Sequence, residues 1–300
     1  MKKVTLFNTP LLTVFILVAA LNFTSCHSGK TENDGVADGD KAANVQKDTV
    51  VKTIFYSVPS PIETATLIQK VGLPYNKEFL NSIKKVSNYT TTGSKALNLG
   101  VYGADLSFTS IYEQNQESML YLKSANTLAK DLGISGAFDE NTANRLEANK
   151  SNKDSLLGII SESFWNADAY LKENERPGTS SLIIAGGWIE SVYIATRIQR
   201  ASNNGDITNR IAEQKYTLGN LTKMLKRHTD DPVVADISKD LEDLKTVYDQ
   251  IADTKKATTT SKDANGVTTI GGGADQILLT DDQLATIIKK VDALRTKITK

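Results

Sequence analysis

Six residues with hydrogen-bonding side chains recur at steps of four, three, four, three and four: Asn98, Tyr102, Asp105, Thr109, Tyr112 and Gln116. On a helix this spacing puts them on one face. Amides, a hydroxyl, two phenols and one carboxylate could line a groove for a polar ligand, with the tyrosine rings as stacking platforms. The same groups would also serve to hydrogen-bond neighbouring helices, since a tyrosine often buries its ring and satisfies its hydroxyl at the edge of a core. Ligand sites are few per protein, so that second role is the commoner one.

Other chemistry has little to draw on. The chain holds two histidines, His27 and His228. A Ser-His-Asp arrangement would need His228, whose place at a helix C-terminus is explained by attraction to the helix dipole, and no nucleophile elbow accompanies it. There is no H-E-x-x-H, no cysteine cluster, no P-loop and no G-x-G-x-x-G after a strand, which argues against zinc and dinucleotide chemistry. Glu113 and Glu117 stand four apart, and Glu162 and Asp168 lie on another helix. A di-iron bundle would want Glu-x-x-His pairs, so charged surface faces explain these acids better. The expectation is a protein without catalytic residues, metal or cofactor.

The only cysteine, Cys26, has a different meaning. Lys2 and Lys3 precede an apolar run from Val4 to Leu21, too short to span a bilayer comfortably and followed by small polar residues. That is the layout of a cleaved export signal over residues 1–25. The run ends in Phe23-Thr24-Ser25-Cys26, which looks like a bacterial lipobox, in which the cysteine thiol takes a diacylglycerol after cleavage. Phe23 stands where leucine is usual. An unpaired cysteine is otherwise unexpected in an exported chain, and several acyl chains would make the attachment effectively permanent.

Residues 26–56 are rich in Gly, Asp, Asn and Lys and read largely as a flexible tether. The whole chain has 35 basic and 35 acidic residues, and removing the signal leaves a formal charge of −2. This offers no footprint for nucleic acid and no polybasic membrane patch. The remaining residues 57–300 suffice for a substantial core without disulfides, as one domain or as coupled sub-units 57–150 and 151–300.

Their pattern is helical almost throughout. Ser60, Pro61 and Glu63 open a helix that Gly72 stops, and Pro74 opens a short one through Ile83. The longest reading runs from Ser94 to about Leu132, with Gly100 and Gly103 inside it as a kink or a point of close approach. A short helix follows Asp139, and another follows Asn152. After Arg176-Pro177-Gly178 comes a very apolar helix, from Leu182 through Ala195. Its Gly186-Gly187 pair would cost roughly 1 kcal/mol each against alanine unless a close crossing requires it. Helices capped by Asp206 and Asp231 form a hairpin, and Thr280 and Gln283 box the last one. Between them, Asn265-Gly266 flanked by threonines predicts a small β-hairpin near 257–271, or else an open loop. The expected fold is all-α, an irregular bundle of about eight or nine helices.

The lipobox-like start and the segments Ile62-Glu63-Thr64-Ala65 and Leu97-Asn98-Leu99-Gly100-Val101-Tyr102-Gly103-Ala104-Asp105-Leu106 resemble a group of Bacteroidetes envelope lipoproteins. The resemblance covers most of the mature chain. It implies a place in the envelope and carries over no functional residue. The chain is therefore expected to be exported and held by a lipid on Cys26, in the outer membrane on its periplasmic or surface side. There it would act as a non-enzymatic interaction or scaffolding module with an envelope protein partner. The alternatives are a small-ligand-binding lipoprotein using the face from Asn98 to Gln116, or, last, a hydrolase or lyase built on carboxylates alone.

Overall fold

A computed structural model describes residues 71–254, 259–262, 268–271 and 276–300. The signal, Cys26, the tether and the capping signature at Ser60 lie outside the described residues. Within them the fold is all-α, with eight α-helices: α1 (Thr92–Ile111), α2 (Asn115–Asp131), α3 (Glu140–Ala148), α4 (Lys153–Glu173), α5 (Pro177–Ser202), α6 (Gly205–Leu225), α7 (Pro232–Tyr248) and α8 (Asp281–Ile298). None of the described helices is long and apolar enough to cross a membrane.

The helix ends follow local chemistry. Thr91 and Ser94 form a capping box at the start of α1, and Thr280 and Gln283 form another at α8. Asp139, Asn152 and Asp231 accept first-turn amide protons as the sequence predicts. At α6 the cap is Asn204 rather than Asp206, since its side-chain oxygen takes the amides of Asp206 and Ile207.

The single long helix read from Ser94 to Leu132 is in fact two. Glu113 adopts φ 58°, and the Glu113 and Gln114 amides bond back to the Ser110 and Thr109 carbonyls at 3.1 and 2.9 Å. That is a Schellman motif with glutamate at the left-handed position. Gly133 closes α2 by the same geometry, with φ 74°. Glycine is legible as a stop and glutamate is not, which is why the first break is hidden.

Helices α1 and α5 make the most extensive contact in the molecule. At their crossing Leu97 meets Gly186, and Gly100 lies between Ile183 and Gly187. A Cβ on Gly100 would overlap the Ile183 carbonyl oxygen, and one on Gly186 would overlap that of Leu97. The glycines are thus the condition for backbones meeting in contact. Around this pair, α4, α6 and α8 pack against α5 and α2 against α1, and residues from 71–150 and 151–300 share one apolar core. The segment from Tyr75 to Tyr89, with its 3₁₀ turns Lys77–Phe79 and Ile83–Asn88, crosses α1 and α2.

Strands β2 (Thr259–Lys262) and β3 (Thr268–Gly271) pair antiparallel, which fits the predicted hairpin. A second antiparallel ladder pairs β1 (Ala252–Thr254) with β4 (Gln276–Leu278).

Candidate functional site

The polar face of α1 is turned inward and forms a buried seam, the commoner of the two roles that its spacing allows. Asn98 donates to the carbonyls of Ile298 and Ser94 at 2.7 and 2.9 Å, tying α1 to the end of α8. Tyr102 donates its hydroxyl to the Ser82 carbonyl at 3.0 Å, with its ring between those of Tyr89 and Tyr121. Thr109 donates to Leu106 O at 2.9 Å and accepts from Ser118 at 3.0 Å. Tyr112 reaches the Leu73 carbonyl at 3.2 Å. Gln116 lies beyond the break at Glu113, exposed on α2, and shares no face with the other five. Asn98, Tyr102, Asp105 and Thr109 have no accessible surface.

Asp105 belongs to a charged cluster that the spacing did not reveal. Its Oδ2 accepts the Asn81 amide at 3.2 Å, and its carboxyl lies within hydrogen-bonding reach of Glu190 on α5. Glu190 is bound by both arms of Arg295 on α8, at 3.1 and 3.2 Å. Burial pushes the Asp105 carboxyl well up, and the neighbouring Glu190 charge pushes it further. The Oδ1 atom of Asp105 has no donor among the described residues. Burial and the adjoining charge favour one proton held between the Asp105 and Glu190 carboxyls, with Arg295 neutralising the charge that remains. The guanidinium also lies 4.6 Å from the centre of the Tyr193 ring, with Arg197 at 4.5 Å from the same ring.

Asn81 completes the cluster. It donates to Tyr89 Oη at 2.9 Å, and its carbonyl accepts from Tyr121 at 3.0 Å. Sequence reasoning missed Asn81, Glu190 and Arg295. The one signal available was Glu190, an acid amid the apolar run of α5, which a buried helix tolerates only with a partner. The cluster joins α1, α5 and α8, and its two carboxyl groups are fully buried.

The other acids considered for catalysis do not converge. Glu113 pairs with Lys153 at 3.0 Å, Glu117 with Lys77 at 2.6 Å and the Tyr75 hydroxyl, and Glu162 with Arg145 at 2.5 Å. Asp168 is buried, but its partners are Ser180 and Lys172. Among the described residues no group of three His, Cys, Asp or Glu side chains is placed to hold a metal.

A cleft opens instead on the other side of α1. Beyond their glycine crossing, α1 and α5 leave space that α4 and α6 wall in, a cavity of about 140 Å³. Phe108, Ile111, Ile160, Phe164, Val192, Ile194, Ile198, Ile207 and Ile211 make its surface apolar. Small residues on the facing helices, Ala104, Ser107, Ser191 and Ala195, keep it open. Arg210 is the single charged residue among those lining it, with Gln214 one turn on. Gln214 is already engaged, accepting the Trp188 indole N–H at 3.1 Å. Ser107 and Ser191 donate to their own helix, to Gly103 and Gly187 carbonyls, so their hydroxyls add little polarity to the walls. No family model matches the chain, and no match is found among curated proteins or solved structures.

Proposed function

We propose that this chain is a lipid-anchored helical module of the bacterial envelope that acts by binding a small apolar molecule in the cleft between α1, α4, α5 and α6. The observation that carries the reading is the cleft itself, an apolar cavity of about 140 Å³ kept open by small side chains. An apolar cavity of about that size takes up a compact apolar molecule rather than ordered water. Attachment to a membrane rests on the Cys26 pattern and would hold such a site beside a reservoir of apolar ligands. On this reading the module works without bond chemistry.

The test is thermal unfolding of the mature chain with and without benzene as a compact probe. Saturating probe should raise the melting temperature of the native sequence. Ala195→Phe, which fills the cleft from α5, should abolish the shift while remaining helical. No shift with the native sequence, or an equal shift in both, would end the reading.

A further inference from the structure

The few polar side chains on the cleft wall decide what chemistry its occupant carries, on the reading that it binds a compact apolar molecule at all. They are Ser107 on α1, Ser161 on α4, Ser191 on α5, and Arg210 and Gln214 on α6. Ser161 is exposed. Arg210 is paired with Glu213 at 2.9 Å. Gln214 is held at both ends of its amide, accepting from Trp188 at 3.1 Å and donating to the Arg210 carbonyl at 3.3 Å.

Ser107 and Ser191 differ from these. Both are half-buried, and each gives its hydroxyl proton to a carbonyl one turn back, Ser107 to Gly103 at 2.9 Å and Ser191 to Gly187 at 2.8 Å. A serine hydroxyl has one proton to donate and two lone pairs with which to accept. With the proton spent inside the helix, each oxygen keeps acceptor capacity alone. Among the described residues no group donates to either oxygen. A hydroxyl or N–H carried into so apolar a wall loses its bonds to water, and an acceptor there restores one. A carbonyl or ether oxygen gains nothing from the same two serines.

We propose that the cleft takes a compact apolar molecule bearing one hydrogen-bond donor, of the phenol or small-alcohol class. Its hydroxyl donates to Oγ of Ser107 or Ser191, and its hydrocarbon part lies against the isoleucines and phenylalanines of the wall.

The experiment uses the mature chain carrying Cys26→Ser, so that no covalent lipid interferes. It is titrated by calorimetry with phenol and with toluene, which match in size and differ by a hydroxyl against a methyl group. The same titrations are made with Ser107→Ala, Ser191→Ala and the double variant. The bond each serine makes to its own helix is not one the helix depends on, and circular dichroism checks that every variant is folded. The native sequence should bind both probes. The double variant should bind phenol about tenfold or more weakly and toluene unchanged. A single variant that carries the whole loss names the accepting serine, and a loss confined to the double variant shows that either one serves. Phenol binding that survives the double variant, or an equal loss of phenol and toluene, would overturn the placement of the donor. Toluene binding to the native sequence without any binding of phenol would overturn the donor class and leave the apolar-ligand reading standing. Failure of both probes would remove both.

Discussion

Replacing Asp105 with asparagine should make the protein more stable as the pH rises. In the native chain the Asp105 carboxyl lies within hydrogen-bonding reach of Glu190 and accepts the Asn81 backbone amide at 3.2 Å. Asparagine has the same shape, and its amide can donate to Glu190 while its oxygen accepts from Asn81. At acid pH, where Asp105 is protonated whether folded or not, the exchange should cost within about 1 kcal/mol. The sign of the pH dependence follows from the direction of the shift. Burial raises the folded pKa of Asp105 above its unfolded value. Its contribution is therefore fully present below about pH 3.9, the ordinary carboxylate value, and is lost as pH climbs towards the folded value. The loss is about 1.4 kcal/mol per pH unit, and asparagine escapes it. Burial raises Glu190 too, so the pair titrates as a unit and both shifts act in the same direction. Urea unfolding of both proteins at each half unit from pH 4 to 8 is the assay. The stability difference should grow in favour of asparagine and flatten at the folded pKa of the pair. A difference independent of pH, or a uniform loss above about 3 kcal/mol, would show that Asp105 is ionised and would refute the shared proton.

Four further outcomes follow from the geometry. Glu190→Gln leaves the Arg295 guanidinium, largely buried, without its counter-charge, and should cost about 3–5 kcal/mol by urea unfolding. Gly100→Ala and Gly186→Ala each push a methyl group into a backbone carbonyl and should each lower stability by about 3 kcal/mol, whereas Gly158→Ala, helical and with open space around its Cβ, should raise it by about 0.5–1 kcal/mol. Glu113→Gly relieves a left-handed φ at the turn between α1 and α2 and should stabilise by about 0.5–1 kcal/mol in thermal or urea unfolding, after the entropy cost of glycine is subtracted. Cys26→Ser should abolish palmitate incorporation and release the chain from the membrane fraction of the producing cell; retention of label would sink the lipidation reading.

The helical class, most caps and the glycine crossing were legible because each depends on residues near in sequence. Asp231-Pro232 opens α7 through local hydrogen bonds, and Gly186-Gly187 is costly enough in a helix to demand a tertiary reason. The break at Glu113 escaped because its stop is made by backbone bonds that any residue can supply at some strain. The spacing groups five of the six residues on the polar face of α1, and they take the commoner of the two roles it allows, bonding to neighbouring elements. Periodicity tells which side chains share a face but not what covers it, and here the covering groups are Asn81, Glu190 and Arg295, far away in the chain. The cleft was invisible for a related reason. Its walls are ordinary core residues of four helices, and the space between them is fixed by crossing angles that no single segment encodes.

The most direct measurement is to isolate the mature chain from its own envelope, unfold it, and identify by mass spectrometry any small molecule released without breaking a covalent bond. A small apolar molecule at close to one per protein, missing from Ala195→Phe, is the expected result. An empty protein, or the same lipids at the same level in the filled-cleft variant, would contradict binding in the cleft.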